Sequence, residues 1–332
     1  MTEVVFLSSS EVVDLAEPAE YVDVVRDAYR QRGEGAPAKP RTTLLPSHQT
    51  GMLTSYLAIL PETGYMGGYT YAAGFGDRDA WFITPLFDAT SGELVALLDG
   101  AAMNPYKTGA AGAVGVDALA REDARILGVF GSSAQARGQL LATATVRDLD
   151  EVRVYSPTPE NRRLFAEEMD DVIGPSVVAV DDPEAVLANC DIVITATRAT
   201  DPVFDGDRLE PGTHVTAMGQ YHPDRREIDG RTVARSVYVP DLADRALQDA
   251  GAFLHAVAAG TIDEDHIHAE LGDVVAGTKP GRTDENDITV FDSGGTAIET
   301  VAAAGLLYER ALDRERGTTL SLSPASEAFP GR

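Results

Sequence analysis

Residues 124–146, ARILGVFGSSAQARGQLLATATV, are the stretch on which the fold turns. Ile126, Leu127, Val129 and Phe130 form an apolar run of strand length that breaks at Gly131, and beyond Ser132 and Ser133 the composition becomes that of a helix. A strand that turns tightly into a helix leaves unpaired backbone N–H groups and the positive end of the helix dipole at the turn, which suits a pyrophosphate. Gly131 stands at the first glycine position of such a fingerprint, Ser133 at the second and Ala136 at the third. The match is degenerate, and an ordinary βα turn without a ligand is the alternative reading. Context decides between them. EVRVYSP (151–157), SVVAV (176–180), DIVITAT (191–197), THVTAMG (213–219) and SVYVPD (236–241) follow as further strand-like runs separated by helical segments. That alternation predicts a parallel, doubly wound α/β sheet of the Rossmann kind.

Upstream, the pattern is different. Residues 17–32 carry apolar side chains at helical spacing (Tyr21, Val24, Val25, Ala28, Tyr29) and stop at the glycines of QRGEGAP. MLTSYLAIL (52–60), GGYTYAAG (67–74), AWFITPLFDA (80–89) and LVALLDG (94–100) read as short strands between Gly, Pro and Asp turn signals, so residues 41–99 are expected to form an antiparallel sheet or partial barrel. PYKTGAAGAVGVDALA (105–120) reads as a closely packed helix, and an amphipathic helix over 296–310 comes late enough to return to the first domain. Residues 314–332 read as a loose tail. A chain of 332 residues is long enough for two cores.

Composition narrows the partners. With 44% hydrophobic and 24% charged residues the chain is that of a globular protein, and no apolar run is long enough to span a membrane. The start, MTEVVFLSSSEV, lacks a basic leader, so no signal peptide is expected, and the single Cys190, in apolar ANCDIVITAT, suits a reducing cytoplasm. The six histidines form no metal-ligand pattern, and His266 and His268 lie in an acidic segment, so no metal is expected. Asp and Glu number 53 against 27 Lys and Arg, a net charge of -26 that excludes nucleic acid as a partner. Lys39, Lys107 and Lys279 are the only lysines. An acidic surface stripped of long ammonium side chains points to life in concentrated salt, where self-repulsion is screened. An acidic protein from a GC-rich genome is the other reading of those numbers.

At the end of the second Rossmann strand a carboxylate would hold the 2'-hydroxyl of NAD, but the sequence there is YSPTPENRR (155–163). Ser156 and Thr158 offer hydroxyls and Arg162 or Arg163 a positive charge, a set that favours the 2'-phosphate of NADP. Capping of the next helix is the alternative task for these residues.

Four blocks in order, LLDGAAMNPYKTGAAGAVGVDALA (97–120), GVFGSSAQARGQL (128–140), THVTAMGQYHPDRREID (213–229) and ITVFDSGGTAIETVAAAGLLYERA (288–311), with PAKPR (37–41), resemble the ornithine cyclodeaminase and mu-crystallin family, here as a halophilic, archaeal-type member. The resemblance implies a substrate and dimerisation domain over residues 1–118, completed by 297–332, a Rossmann domain over 119–296, and a homodimer formed through the substrate domains. It also implies chemistry at the carbon beside a carboxylate, with bound NADP or NAD. Thr108, Gly131, Ser132, Ser133, Ala134, Gln135, Ser156, Thr158, Arg162, Thr195, Ala196, Thr197, Met218, Gly219, Ser293 and Gly294 are the expected cofactor set.

Arg41 matches the family arginine that pairs with the substrate carboxylate, and Lys107 falls where a second arginine is usual, keeping the charge but losing the two-pronged geometry. A surface lysine at a helix start is the alternative for Lys107. Tyr69 replaces the family's active-site lysine and Tyr221 the aspartate of the cyclodeaminases, and Tyr69, Tyr221 and His222 are the candidate catalytic residues, a tyrosine, the histidine or water donating the proton. Asp292 and Ser293 match a loop near the cofactor, though an Asp-Ser-Gly-Gly segment also forms ordinary turns. The expectation is an NAD(P)-dependent oxidoreductase that reduces a cyclic imine or forms or oxidises a small amino acid such as alanine. Deamination of ornithine to proline, and cofactor binding without turnover, are the competing readings.

The charge excess predicts a fold that weakens as salt is withdrawn, because the Debye length grows from about 3 Å in molar salt to about 10 Å at a tenth of that. Thermal melts in a KCl series check this. The melting temperature should rise with KCl, and a constant value would remove the salt-adaptation reading.

Overall fold

A computed structural model of the chain describes residues 2–48, 50–76 and 78–327. The first half opens with β1 (Thr2–Leu7), α1 (Ser9–Val12) and α2 (Pro18–Gly33), then runs through β2 (Thr42–Leu44), β3 (Met52–Leu60), β4 (Tyr65–Ala73), β5 (Trp81–Asp88), β6 (Leu94–Asp99) and α3 (Met103–Leu119). The second half alternates β7 (Ile126–Phe130), α4 (Ala134–Thr143), β8 (Glu151–Tyr155), α5 (Pro159–Ile173), β9 (Ser176–Ala179), α6 (Pro183–Leu187), β10 (Ile192–Thr195), β11 (His214–Ala217), α7 (Gly230–Ala234) and β12 (Ser236–Pro240). It closes with α8 (Ala243–Asp249), α9 (Gly251–Ala258), α10 (Leu271–Val275), β13 (Ile288–Asp292), α11 (Ala297–Asp313) and β14 (Thr318–Leu322).

Two seven-stranded sheets result, in the orders β14-β1-β6-β5-β4-β3-β2 and β12-β13-β11-β10-β7-β8-β9. The second is parallel throughout, as the βα alternation predicts. One strand in it escaped the sequence reading: ITVFD forms β13 and inserts between β11 and β12, so the sheet is completed only after α10. Its central strands β10, β11 and β13 are buried along their whole length, which covering by helices on both faces requires.

The first sheet is mixed, not purely antiparallel, because β1 lies parallel to β6. The expected loose tail is also corrected. Residues 318–322 form β14, paired antiparallel with β1 from Thr2↔Leu322 to Phe6↔Thr318, which closes that edge of the sheet, while residues 328–332 lie outside the described residues. Along β3 the side chains of Thr54, Tyr56, Ala58 and Leu60 enter the core, and Leu53, Leu57 and Ile59 face out. On that outer face Leu44, Leu53, Ala72 and Trp81 lie side by side across four strands, and Trp81 is 78% exposed.

Helix α11 returns to the first sheet and packs on α2, β3 and β4. Its segment 297–305 is buried throughout. Helices α3 and α4 cross so closely that a Cβ on Gly109 would lie 2.1 Å from the Gly138 carbonyl oxygen, and one on Gly138 would lie 2.2 Å from that of Pro105. That contact fixes the cofactor-side helix against the helix that carries Lys107. No helix among the described residues is long and apolar enough to cross a membrane.

Candidate active site

The carboxyl ends of the parallel strands form one edge of the site. Gly131 has φ +120°, and a Cβ there would meet the Ala196 carbonyl oxygen at 2.4 Å, so the turn after β7 requires glycine. Ser133 is the N-cap of α4 and makes no side-chain cap hydrogen bond, while Ala134 and Gln135 begin the helix, whose first N–H groups have no helical acceptor. Ser132 Oγ donates to Ser156 Oγ at 3.0 Å. Gln135 Oε1 and Ser293 Oγ are buried without a hydrogen-bond partner. Free amides and a glycine cradle fit a dinucleotide phosphate at this edge, with the unpartnered Ser293 hydroxyl as a further donor.

Thr195 ends β10, Ala196 and Thr197 follow it, and Met218 and Gly219 follow β11. A residue outside the expected set holds these two loops together. The carboxylate of Glu227 is buried and accepts from Thr197 N (2.6 Å), Gly219 N (2.6 Å) and Thr195 Oγ1 (3.0 Å). Burial pushes its pKa up, against those donors. Thr108 sits on α3 with its hydroxyl donating to Asn104 O at 2.7 Å and its carbonyl accepting from Gln139 Nε2 at 2.8 Å, which ties α3 to α4.

Arg162 is placed differently from expectation. Its guanidinium turns inward, donating to Ser156 O at 2.8 Å and pairing with Asp181, so it braces the loop and is not free to meet a 2'-phosphate. Arg163 is exposed. Thr158 is exposed at the N-cap of α5 and makes no side-chain cap hydrogen bond, which leaves its hydroxyl available and removes the capping explanation for it.

The second edge comes from the first domain. Arg41 is buried, with NH2 donating to Gly294 O and, at 3.0 Å, to Gly295 O. Its guanidinium lies 4.3 Å from the Tyr221 ring centroid and 5.8 Å from that of Tyr56. Lys107 is no surface lysine. Its ammonium sits 3.4 Å from Glu299 Oε1 and 5.0 Å from the Tyr69 ring centroid, and burial lowers its pKa against the pull of Glu299. Glu299 is held in turn by Thr296 N and Thr296 Oγ1, both at 2.6 Å, in the capping box of α11.

The two tyrosines part company. Tyr69 is fully buried and donates its hydroxyl to Gly100 O at 3.0 Å, and burial pushes its pKa well above the usual phenol value. It is therefore a floor beneath Lys107 and not the catalytic proton donor expected of it. Tyr221 is 38% exposed and covers Arg41. Beside it, His222 has its Nδ1 3.1 Å from the Asp224 amide, from which it accepts, in an exposed turn. Asp292 belongs to no ordinary turn: Arg245 NH2 donates to both its Oδ1 and its carbonyl oxygen at 2.7 Å, and Tyr238 donates to its Oδ2 at 2.7 Å. The segment 293–296 that follows touches both edges, because Ser293 N donates to Ala217 O while Gly294 and Gly295 accept from Arg41.

The carboxyl ends of the parallel strands and the first sheet thus meet at a segment that also holds a buried cation, Arg41. The profile of the ornithine cyclodeaminase/mu-crystallin family matches residues 2–315. The chain belongs to this family. It is 34% identical to Delta(1)-pyrroline-2-carboxylate reductase of Bacillus cereus over 72% of this chain and 73% of that protein. Among solved structures, Delta(1)-pyrroline-2-carboxylate reductase of Thermococcus litoralis in complex with NADH and L-proline superposes with a TM-score of 0.91 at 33% identity, covering 96% of this chain and all of that one (100%). An archaeal alanine dehydrogenase dimer with bound NAD gives 0.90 at 30% identity over 97% and 100% of the two chains. The protein is an NAD(P)-dependent oxidoreductase of this family.

Sequence reasoning singled out Arg41 and Lys107 through the resemblance, and the structure buries both, but it did not name Glu227, Glu299 or the partners of Asp292. Of these only Glu299 carried a signal, the Thr296–Glu299 spacing of a capping box. Glu227 generates a prediction. In Glu227→Gln one carboxylate oxygen becomes an NH2 that faces an N–H donor, an unmet contact that costs about 1–3 kcal/mol. Dinucleotide affinity, followed by fluorescence titration, should fall about five- to a hundredfold, and unchanged affinity would show that the clamp does not shape the cofactor site.

Proposed function

We propose that the protein reduces a small α-imino acid, most simply a cyclic one, with formation or oxidation of a small amino acid such as alanine as the closely related alternative. The observation that carries this is the pair of buried cations, Arg41 and Lys107, set beside a dinucleotide edge. Two positive charges suit a substrate carboxylate, and the bound nicotinamide supplies hydride at the adjoining carbon. Tyr221, on the exposed side of Arg41, presents a phenol hydroxyl as a hydrogen-bond donor, with His222 beside it. Phenols in the places of the cyclodeaminase lysine and aspartate donate hydrogen bonds but accept protons poorly, which favours reducing an imine over deaminating ornithine.

The absence of a carboxylate after β8, the available hydroxyl of Thr158 and the exposed Arg163 support NADP over NAD. The outer apolar face of the first sheet supports a homodimer formed through the substrate domains, since a row from Leu44 to Trp81 would otherwise meet water.

Two measurements test these readings. In molar KCl the purified protein should oxidise NADPH faster than NADH when given Delta(1)-pyrroline-2-carboxylate, or more slowly when given pyruvate with ammonia. Conversion of ornithine to proline and ammonia with catalytic NAD would overturn the assignment, and cofactor binding without turnover of any of these would make the protein a binder. For the dimer, Trp81→Glu should shift the sedimentation coefficient to that of a monomer, and a wild-type protein that is itself monomeric would discard the apolar face as an interface.

A further inference from the structure

Behind Arg41 lies a buried ionic cluster that substrate binding by itself does not explain. Arg41 Nε is 3.3 Å from Asp249 Oδ2, and Arg245 Nε and NH2 contact Asp241 Oδ1 and Asp292 Oδ1 at 2.7 Å, with NH1 3.4 Å from Asp249 Oδ1. Two guanidinium groups therefore face three carboxylates. The carboxylates are unequally satisfied. Asp241 also accepts from the amides of Leu242, Gly294 and Gly295, and Asp292 from the Tyr238 hydroxyl. Asp249 has one long hydrogen bond, while its Oδ2 and the facing Arg41 Nε are both buried without a hydrogen-bond partner.

From this we infer that Asp249 is a positioning residue: it occupies one edge of Arg41 as a resident stand-in for the substrate carboxylate, and it yields that charge and takes up a proton when the substrate carboxylate arrives. The inference rests on the reading that Arg41 binds that carboxylate. The physical reason is charge count. A fourth buried carboxylate beside two guanidinium groups would leave two negative charges unmatched, and the least satisfied one is the cheapest to neutralise. The groups facing Asp249 are Arg245 on its own helix, Arg41 before β2, Asp241 after β12 and Asp292 at the end of β13. Tyr221, Tyr56 and Tyr71 lie beyond, around Arg41. Burial and the two neighbouring aspartates already hold the Asp249 carboxyl above the usual carboxylate range, against both arginines.

The sign follows from linkage. Where Asp249 is already protonated, the carboxylate binds without proton uptake; above that pH its apparent Kd should rise up to about tenfold per pH unit, until the pKa of the bound state is passed. The test uses pyrrole-2-carboxylate, a planar carboxylate that is not reduced, with the full chain saturated in NADPH in molar KCl. Calorimetry in two buffers of different ionisation enthalpy, between pH 5 and 9, should show a Kd that rises with pH and uptake of up to one proton per ligand. Asp249→Asn should abolish the uptake and flatten the Kd profile at a value at or below that of the wild type at high pH.

A wild-type protein that binds with a flat profile and no uptake, while Arg41→Gln loses binding, overturns the role of Asp249 and leaves the Arg41 reading standing. Uptake that persists in Asp249→Asn places the proton elsewhere and overturns it as well. If Arg41→Gln binds like the wild type, both readings fall together. The wild-type arm needs no variant, so a poorly folding substitution does not block the test.

Discussion

The organisation of this enzyme depends on how the Arg245 guanidinium is buried. A cation removed from water is tolerated only when surrounding acceptors satisfy it. Here Asp241, Asp249 and Asp292 do so from the loop after β12, the end of α8 and the end of β13. Asp292 lies at the end of β13, and the next residues leave the Rossmann sheet for α11 in the other domain. By fixing Asp292, and through Asp241 the amides of Gly294 and Gly295, the cluster sets the path of the one segment that touches both edges of the site. Gly295 has φ +84°, a conformation that glycine adopts without strain. The carbonyls thus presented hold Arg41, so a buried cation from the first half of the chain is positioned by charges in the second.

A second constraint is steric. Helices α3 and α4 meet through Gly109 and Gly138 with no room for a Cβ on either. Helix α3 carries Lys107, and α4 opens at the glycine turn after β7. Their separation therefore sets how far the buried ammonium stands from the cofactor edge. Gln139 reinforces the contact by donating to the Thr108 carbonyl, and its Oε1 would clash with a Cβ on Gly112 at 1.9 Å. Small residues here serve register, because a wider crossing would move both halves of the site apart.

The two tyrosines meet the two buried cations in distinct ways. Tyr69 keeps its hydroxyl on Gly100 and offers Lys107 the face of its ring. Glu299 supplies the counter-charge from α11. Tyr221 instead sets its ring face 4.3 Å from the Arg41 guanidinium, an arrangement that stabilises a cation by the ring's quadrupole. Both buried cations are thus shielded by aromatic faces.

What the sequence by itself determined is the part carried by local chemistry. The break at Gly131 between an apolar strand and a helix, the alternation of strands and helices after it, and the blocks around Lys107 and Asp292 were sufficient for the fold class and the family. What only the tertiary structure decided is where charges and edges find partners. TTLSL (318–322) reads as a tail because an edge strand of Thr and Ser has no pattern until β1 pairs with it. ITVFD was left out of the sheet because its neighbours in space, β11 and β12, are far from it in sequence. Arg162 and Tyr69 fall at the expected places along the chain, yet burial turns their polar ends onto backbone carbonyls. Arg245 and Asp249 stand four residues apart on a helix, a spacing that by itself describes a solvated surface pair, and only the packing of β13 and Arg41 over them makes that pair a buried cluster.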